Sequence, residues 1–195
     1  MPVRSVLLML VSCLVAATLT HGASQRALSL EEMVGYSDEI VVGRIASAES
    51  RWQGRLIVTV ATVEIEEALK GGRSQRLDVT QLGGTAVHPR TGLSVTMSAS
   101  TQVTLEPGTD VLLFVSRAAS GQRQLVGAQQ GVFRIRENPR TRVREIPVGP
   151  KRLTTERGAE RDTVRSEAQT LDAMRERIRT VVDRESANPA RSERR

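Results

Sequence analysis

The chain has 195 residues, 28 Lys+Arg against 22 Asp+Glu, and a formal net charge of +6. A single cysteine excludes a disulfide framework or a thiolate metal cluster, and two histidines, His21 and His88, leave little for zinc or triad chemistry. An apolar share of 39%, rich in Val, Leu and Ile, belongs to a globular chain rather than a disordered one.

The first residues read MPVRSVLLMLVSCLVAATLTHGASQ. Arg4 supplies a positive start, Val6 to Leu19 is an almost unbroken apolar run, and Gly22 and Ala23 are small. That order is a secretory signal peptide over residues 1–22. The run falls short of the roughly 20 residues a spanning helix needs, and no later segment is as apolar. Leu10 to Cys13 has the shape of a bacterial lipoprotein box, but Cys13 lies in the middle of the apolar run instead of closing it. The sequence therefore predicts an exported chain, periplasmic or extracellular, without a lipid anchor or membrane span after cleavage. Its mature form contains no cysteine.

A short helix is expected over 28–38, where Ser29 and Glu32 form a capping box and Leu30, Met33 and Val34 share a face. Strands follow. Glu39 to Ala48 carries Ile40, Val41, Val42 and Ile45, with Gly43 marking a bulge or a close approach. Leu56 to Glu66 is a long β-branched run whose apolar phase shifts from Leu56/Val58/Val60 to Val63/Ile65, as in a strand that bends at a corner. Leu77 and Val79 open another strand, ended by Gly83-Gly84. From Leu93 to Leu105 apolar residues hold the odd positions, which predicts a half-buried strand or a tight strand pair. After the Pro107-Gly108 turn, Val111 to Val115 is apolar on both faces and reads as a central strand. Short strands near Leu125-Val126, Val132 to Arg136 and Thr141 to Ile146 complete about eight strands, a sandwich or small barrel.

Residues 149–195 form a charged tail. Within it, Leu171, Met174, Ile178 and Val181 make an apolar stripe on a helix of about 166–185, expected to dock on its own domain. Ser186 to Arg195 is polar and expected to be disordered.

The order of these motifs resembles a known family. Ser37-Asp-Glu-Ile-Val-Val-Gly-Arg-Ile45 precedes a strand ending Glu64-Ile-Glu-Glu-Ala-Leu-Lys-Gly71; Leu77-Asp-Val-Thr80 and Glu106-Pro-Gly-Thr-Asp-Val-Leu-Leu-Phe-Val115 follow. Together they resemble the netrin-like domain, the OB-type barrel of tissue inhibitors of metalloproteinases, over about residues 29–135. The resemblance implies a mainly β fold. Residues 28–148 would form a small OB-like antiparallel barrel flanked by the N-terminal helix and the C-terminal amphipathic helix, as in exported bacterial proteins. It implies binding more readily than catalysis. The inhibitors grip zinc through an N-terminal cysteine that this mature chain lacks, so their mechanism does not carry over.

Catalytic patterns are absent from the sequence. His88-Pro89 is a loop histidine without an orienting carboxylate nearby in sequence. Glu64 and Glu66 share a strand face about 7 Å apart, but Glu67 and Lys70 beside them describe a solvated edge. Gly71-Gly72 and Gly83-Gly84 read as turns, with no phosphate-loop pattern around them. No metal or cofactor is expected. Residues 26–116 hold 8 basic and 11 acidic groups, whereas 117–195 hold 19 basic and 11 acidic. Arg134, Arg136, Arg140, Arg142 and Arg144 all occupy even positions, and a hairpin turn at Asn138-Pro139 would show them on one face, suited to anions. Nucleic acid is disfavoured by export and by the scarcity of stacking aromatics. The leading expectation is a non-catalytic binding module with a protein partner in the bacterial envelope or the medium. The alternative is an anionic-surface binder (lipid headgroup, lipopolysaccharide or polysaccharide) acting through that arginine face.

Overall fold

Ser29 caps the first helix as its chemistry requires. Its hydroxyl accepts from the Glu32 N–H at 3.1 Å and the Glu32 carboxylate accepts from the Ser29 N–H at 2.9 Å, closing the capping box of α1 (Leu30–Tyr36). Met33 and Val34 are buried and Leu30 packs beside them. The computed structural model describes residues 26–72, 74–147 and 168–187. The expected signal segment with Cys13, most of the charged stretch after 149 and the terminal residues beyond Ala187 lie outside the described residues. One compact unit, beginning at Leu28, contains every element below.

The fold is mainly β, in antiparallel sheets, with two helices. Its largest sheet contains β1 (Glu39–Gln53), β2 (Leu56–Lys70), β3 (Arg76–Leu82), β6 (Asp110–Arg117), β7 (Arg123–Leu125) and β8 (Val132–Arg134). The hydrogen-bonded order is β3-β2-β1-β6-β7, with β8 also pairing β6, and among the described residues this path does not close into a barrel. A separate hairpin joins β4 (Gly84–Val87) to β5 (Ser94–Met97). A three-stranded sheet joins β9 (Arg136–Glu137), β10 (Arg144–Pro147) and β11 (Ala168–Thr170), after which α2 (Leu171–Ala187) begins. A 3-10 turn, Ala128–Gly131, links β7 to β8.

Residues 111–115 are central and buried on both faces, as their unbroken apolar run predicts. Val111, Leu113 and Val115 join Val41, Ile45, Ala61, Val63, Leu77 and Val79 in an inner core. Leu112 and Phe114 face the other way, with Ile40 and Val42, and meet Met33, Val34, Ile146, Leu171, Met174 and Ile178 in an outer core. The C-terminal stripe thus docks on its own domain. α2 starts at Leu171, and residues 168–170 before it are a strand instead of the expected first helical turn.

The long β1–β2 pair bends through three register shifts, near Ile40/Val41, Val42/Gly43 and Ile45/Ser47. Each sets two residues on one strand against one on its partner, which raises local twist. Gly43 sits at one of them, and a Cβ there would fall onto the Glu64 carbonyl oxygen. Two expectations are corrected. In β2 Ile57, Thr59, Ala61 and Val63 face inward on one parity and Leu56 is exposed, while Val58 is buried on the other face. The register slip beside Val63 adds its extra residue to β1, at Ala46, whereas the two nearer the end of β2 add theirs to β2, at Glu66 and Leu69. The alternating segment 93–105 is a strand only over Ser94–Met97. Beyond a turn at 99–102, Val103 instead exchanges backbone hydrogen bonds with the Gln81 side chain, at 2.7 and 2.9 Å. The Gln81 amide, projecting from β3, does for the Val103 backbone what a neighbouring strand would do.

Gly43→Ala is expected to destabilise the fold by about 1–3 kcal/mol, because backbone rather than a flexible side chain must give way. Urea unfolding monitored by circular dichroism reads this, and an unchanged midpoint would show that the approach of β1 to β2 is not tight.

Candidate functional site

Where the two helices leave off, the outer face of the sheet becomes charged. Arg44, Glu64, Ile65, Glu66, Asp110 and Arg144 line an open depression of about 470 Å³. The pairing register puts Arg44 between Asp110 on β6 and Glu64 on β2. Arg44 Nε lies 2.7 Å from Asp110, Arg144 lies 2.7 Å from Glu66 and 3.9 Å from Asp110, and Arg76 lies 3.1 Å from Glu64. From α2, Arg175 reaches Glu67 at 2.8 Å and Glu66 at 3.7 Å, and Arg179 reaches Glu67 at 2.6 Å. The hydrogen bond from Arg144 holds the Glu66 carboxyl below its ordinary range, and the same bond raises Arg144. Asp110 likewise raises Arg44. A carboxylate kept ionised in this way is a poor general acid near neutrality. Cation and anion neutralise each other across the depression, so its chemistry is that of a clasp between β1, β2, β6, β10 and α2.

A second cluster lies at the start of β1. Glu39 is 2% exposed, and its Oε1 accepts from Arg117 at 2.6 Å and Arg123 at 2.9 Å. Burial pushes this carboxyl up, and the hydrogen bonds and charges of Arg123 and Arg117 outweigh it, leaving the group lowered. Asp38 beside it accepts from the Arg117 N–H at 2.6 Å. These contacts fasten β1 to β6 and β7.

The arginines singled out from sequence do not form one free face. β9 and β10 pair Arg136 with Glu145 and Arg144 with Glu137, so Arg136 and Arg144 project from opposite faces of the ribbon. The physical reason is register: the connection from Asn138 to Val143, with Arg142 at φ 60°, aligns even residues of one arm with odd residues of the other. Arg134 donates to the Thr104 carbonyl at 2.8 Å, Arg142 pairs Glu137 at 2.7 Å, and Arg144 belongs to the clasp. Arg136 and Arg140 are exposed.

Sequence reasoning passed over the opposite end of the sheet, where β1 turns into β2 at Gly54-Arg55. Trp52 Nε1 donates to the Val87 carbonyl at 3.0 Å, and its ring meets the His88 ring edge-on with centroids 5.3 Å apart. His88 is thus a loop residue, as expected, with Nδ1 3.3 Å from the Thr91 N–H. Gly84 lets the β4–β5 hairpin lie against the sheet, since a Cβ there would meet the Ser50 and Thr59 hydroxyls. Leu56, Leu82, Val87 and Leu93 are exposed, the last two by 62% and 66%. Arg51, Arg55 and Arg90 are also exposed, with no carboxylate partner among the described residues. The available signal was the lone tryptophan set between arginines, Arg51-Trp52-Gln53-Gly54-Arg55. Among the described residues no group of three or more His, Cys, Asp and Glu side chains could hold a metal ion, and no helix is long and apolar enough to cross a membrane.

No protein-family model matches the chain, and no curated protein matches it either.

Glu39→Gln is expected to lower stability at pH 7 by about 1.5–3 kcal/mol, the scale of a lost charge-assisted hydrogen bond. Because the folded carboxyl lies below its unfolded value of about 4.3, its contribution is complete above that value. It is lost as pH falls through the folded one. Urea midpoints between pH 7 and pH 3 should therefore fall less steeply in the variant; parallel curves would remove Glu39 from the acid response.

Proposed function

We propose that the chain is an exported, non-catalytic binding module on an OB-like, netrin-like β scaffold, and that it binds through the turn end of the sheet. The observation that carries this reading is the contrast between the two ends. The charged groups of the clasp on the helix-covered side are matched by partners, whereas exposed Val87 and Leu93 and the neighbouring arginines gather around half-buried Trp52 without ion-pair partners. A cluster of exposed apolar side chains around an anchored tryptophan is the usual composition of a recognition surface. A non-catalytic role is favoured by the matched carboxylates of the clasp and by His88, whose ring contacts are Trp52 and Thr91.

The anionic-surface reading through Arg134, Arg136, Arg140, Arg142 and Arg144 is carried only by Arg136 and Arg140, which are exposed and outside the ion pairs. Crosslinking the full chain in envelope and culture-medium fractions separates the two. Val87→Asp with Leu93→Asp should reduce the crosslinked material about tenfold or more, on the scale of a binding hot spot, while Arg136→Glu with Arg140→Glu leaves it intact. The opposite pattern would assign binding to the arginines of β9 and its loop, and indifference to both pairs would sink the module reading.

A further inference from the structure

The turn end of the sheet has a charge pattern that selects among binding partners. Residues 50–59 and 81–105, which build it, contain no aspartate or glutamate, and their charged residues are Arg51, Arg55 and Arg90; Glu49, exposed two residues before Arg51 and opposite Val60, is the acid that borders it. All three are exposed, and no described carboxylate lies within ion-pair distance of them. Elsewhere on the sheet Arg44, Arg76, Arg117 and Arg123 each have an acidic partner, as does Arg144 on β10. The uncompensated positive charge of this end is complementary to an anionic surface.

The apolar residues here are arranged around a tip rather than across a plane. Arg51 on β1 pairs with Val58 on β2, which pairs with Leu82 on β3, so Arg51 and Leu82 share the outer face with Leu56. Ser50, Trp52, Ile57 and Thr59 point the other way, and the β4–β5 hairpin carrying Val87 and Leu93 lies over that side. Apolar side chains therefore flank the Gly54-Arg55 turn on both sides. A rigid protein surface would cover one flank and leave the other wet, whereas the interfacial layer of a bilayer surrounds an inserted tip. Trp52, fixed by its bond to the Val87 carbonyl, is the kind of amphipathic ring that settles at the headgroup level.

We propose that this tip docks the protein on an anionic phospholipid bilayer: Arg51, Arg55 and Arg90 meet headgroup phosphates while Leu56, Val87 and Leu93 enter the acyl boundary. The inference rests on the reading of the chain as a binding module that uses this end, and it names the partner surface.

Trp52 is the chain's single tryptophan, so its emission reports on the tip alone and is indifferent to lipid contact by any other segment. The full chain is mixed with vesicles of phosphatidylglycerol and phosphatidylcholine, and separately with phosphatidylcholine alone. The expected result is a blue shift of Trp52 emission with the anionic vesicles only, quenched by lipids brominated near the headgroup and reversed by molar salt. Arg51→Gln, Arg55→Gln and Arg90→Gln together should weaken partitioning roughly 100-fold. Since these arginines have no described ion-pair partner, the triple variant should keep its melting temperature, which checks that it folds. Leu93→Ser is a second, single-site variant and should weaken partitioning on its own. Emission unmoved by anionic vesicles, or a shift that is equal with neutral vesicles, overturns the lipid assignment. If tip substitutions then still abolish crosslinking to a protein, the binding-module reading survives without it; if they do not, both fall.

Discussion

Two neighbouring strands, β1 and β6, are apolar on both faces where they pair, and that double burial organises everything else. Val111 to Val115 has no face that can be left wet. The inner side chains are covered by the bending of the sheet itself, through the register shifts between β1 and β2. The outer ones need something brought in from elsewhere in the chain. α1 supplies Met33 and Val34, and α2, far downstream, supplies Leu171, Met174, Ile178 and Val181. At roughly 25 cal/mol for each Å² of apolar surface removed from water, four buried side chains on one helix are a sizeable share of a domain's marginal stability. The C-terminal helix is thus part of the fold's core.

Charge follows the same division. Where α2 crosses the outer face, Arg175 and Arg179 meet Glu66 and Glu67, and Arg144 completes the set from β10. Each exposed pair stabilises little by itself. Their joint effect is on specificity, since they complement one placement of the helix on the sheet. The turn end has no such helix and no acidic residue of its own, and its arginines stay uncompensated. One sheet accordingly has a self-satisfied end and an end with unmet charge and apolar surface.

Local patterns were legible wherever the deciding contacts lie within a few residues. Ser29 and Glu32 are three apart and announce their helix; the spacing of Leu171, Met174, Ile178 and Val181 announces a buried stripe. The two-sided burial of 111–115 was also readable, because an apolar run without alternation has no wet face. Alternation in 93–105 misled, since it describes a half-buried extended chain but does not say whether a strand or the Gln81 side chain partners it. The phase of β2 misled for a related reason. Leu56 and Val60 look like core by type, yet the parity of Ile57, Ala61 and Val63 decides which face is inside.

The candidate site was less legible than the fold. An even-numbered run of arginines suggests one face, but pairing register, set by a loop, determines whether two arms agree, and here Arg136 aligns with Glu145. The tip combines segments that are distant in sequence, Trp52 with Val87 and His88. By itself the sequence determined the strand-rich character, the capped first helix and the amphipathic last one, because these depend on periodicity and on neighbours three or four residues away. Only the tertiary structure decided which charges are matched and which are left open. Those partners lie 66 residues apart for Arg44 and Asp110, 78 for Arg144 and Glu66, and 112 for Arg179 and Glu67, separations at which periodicity carries no information.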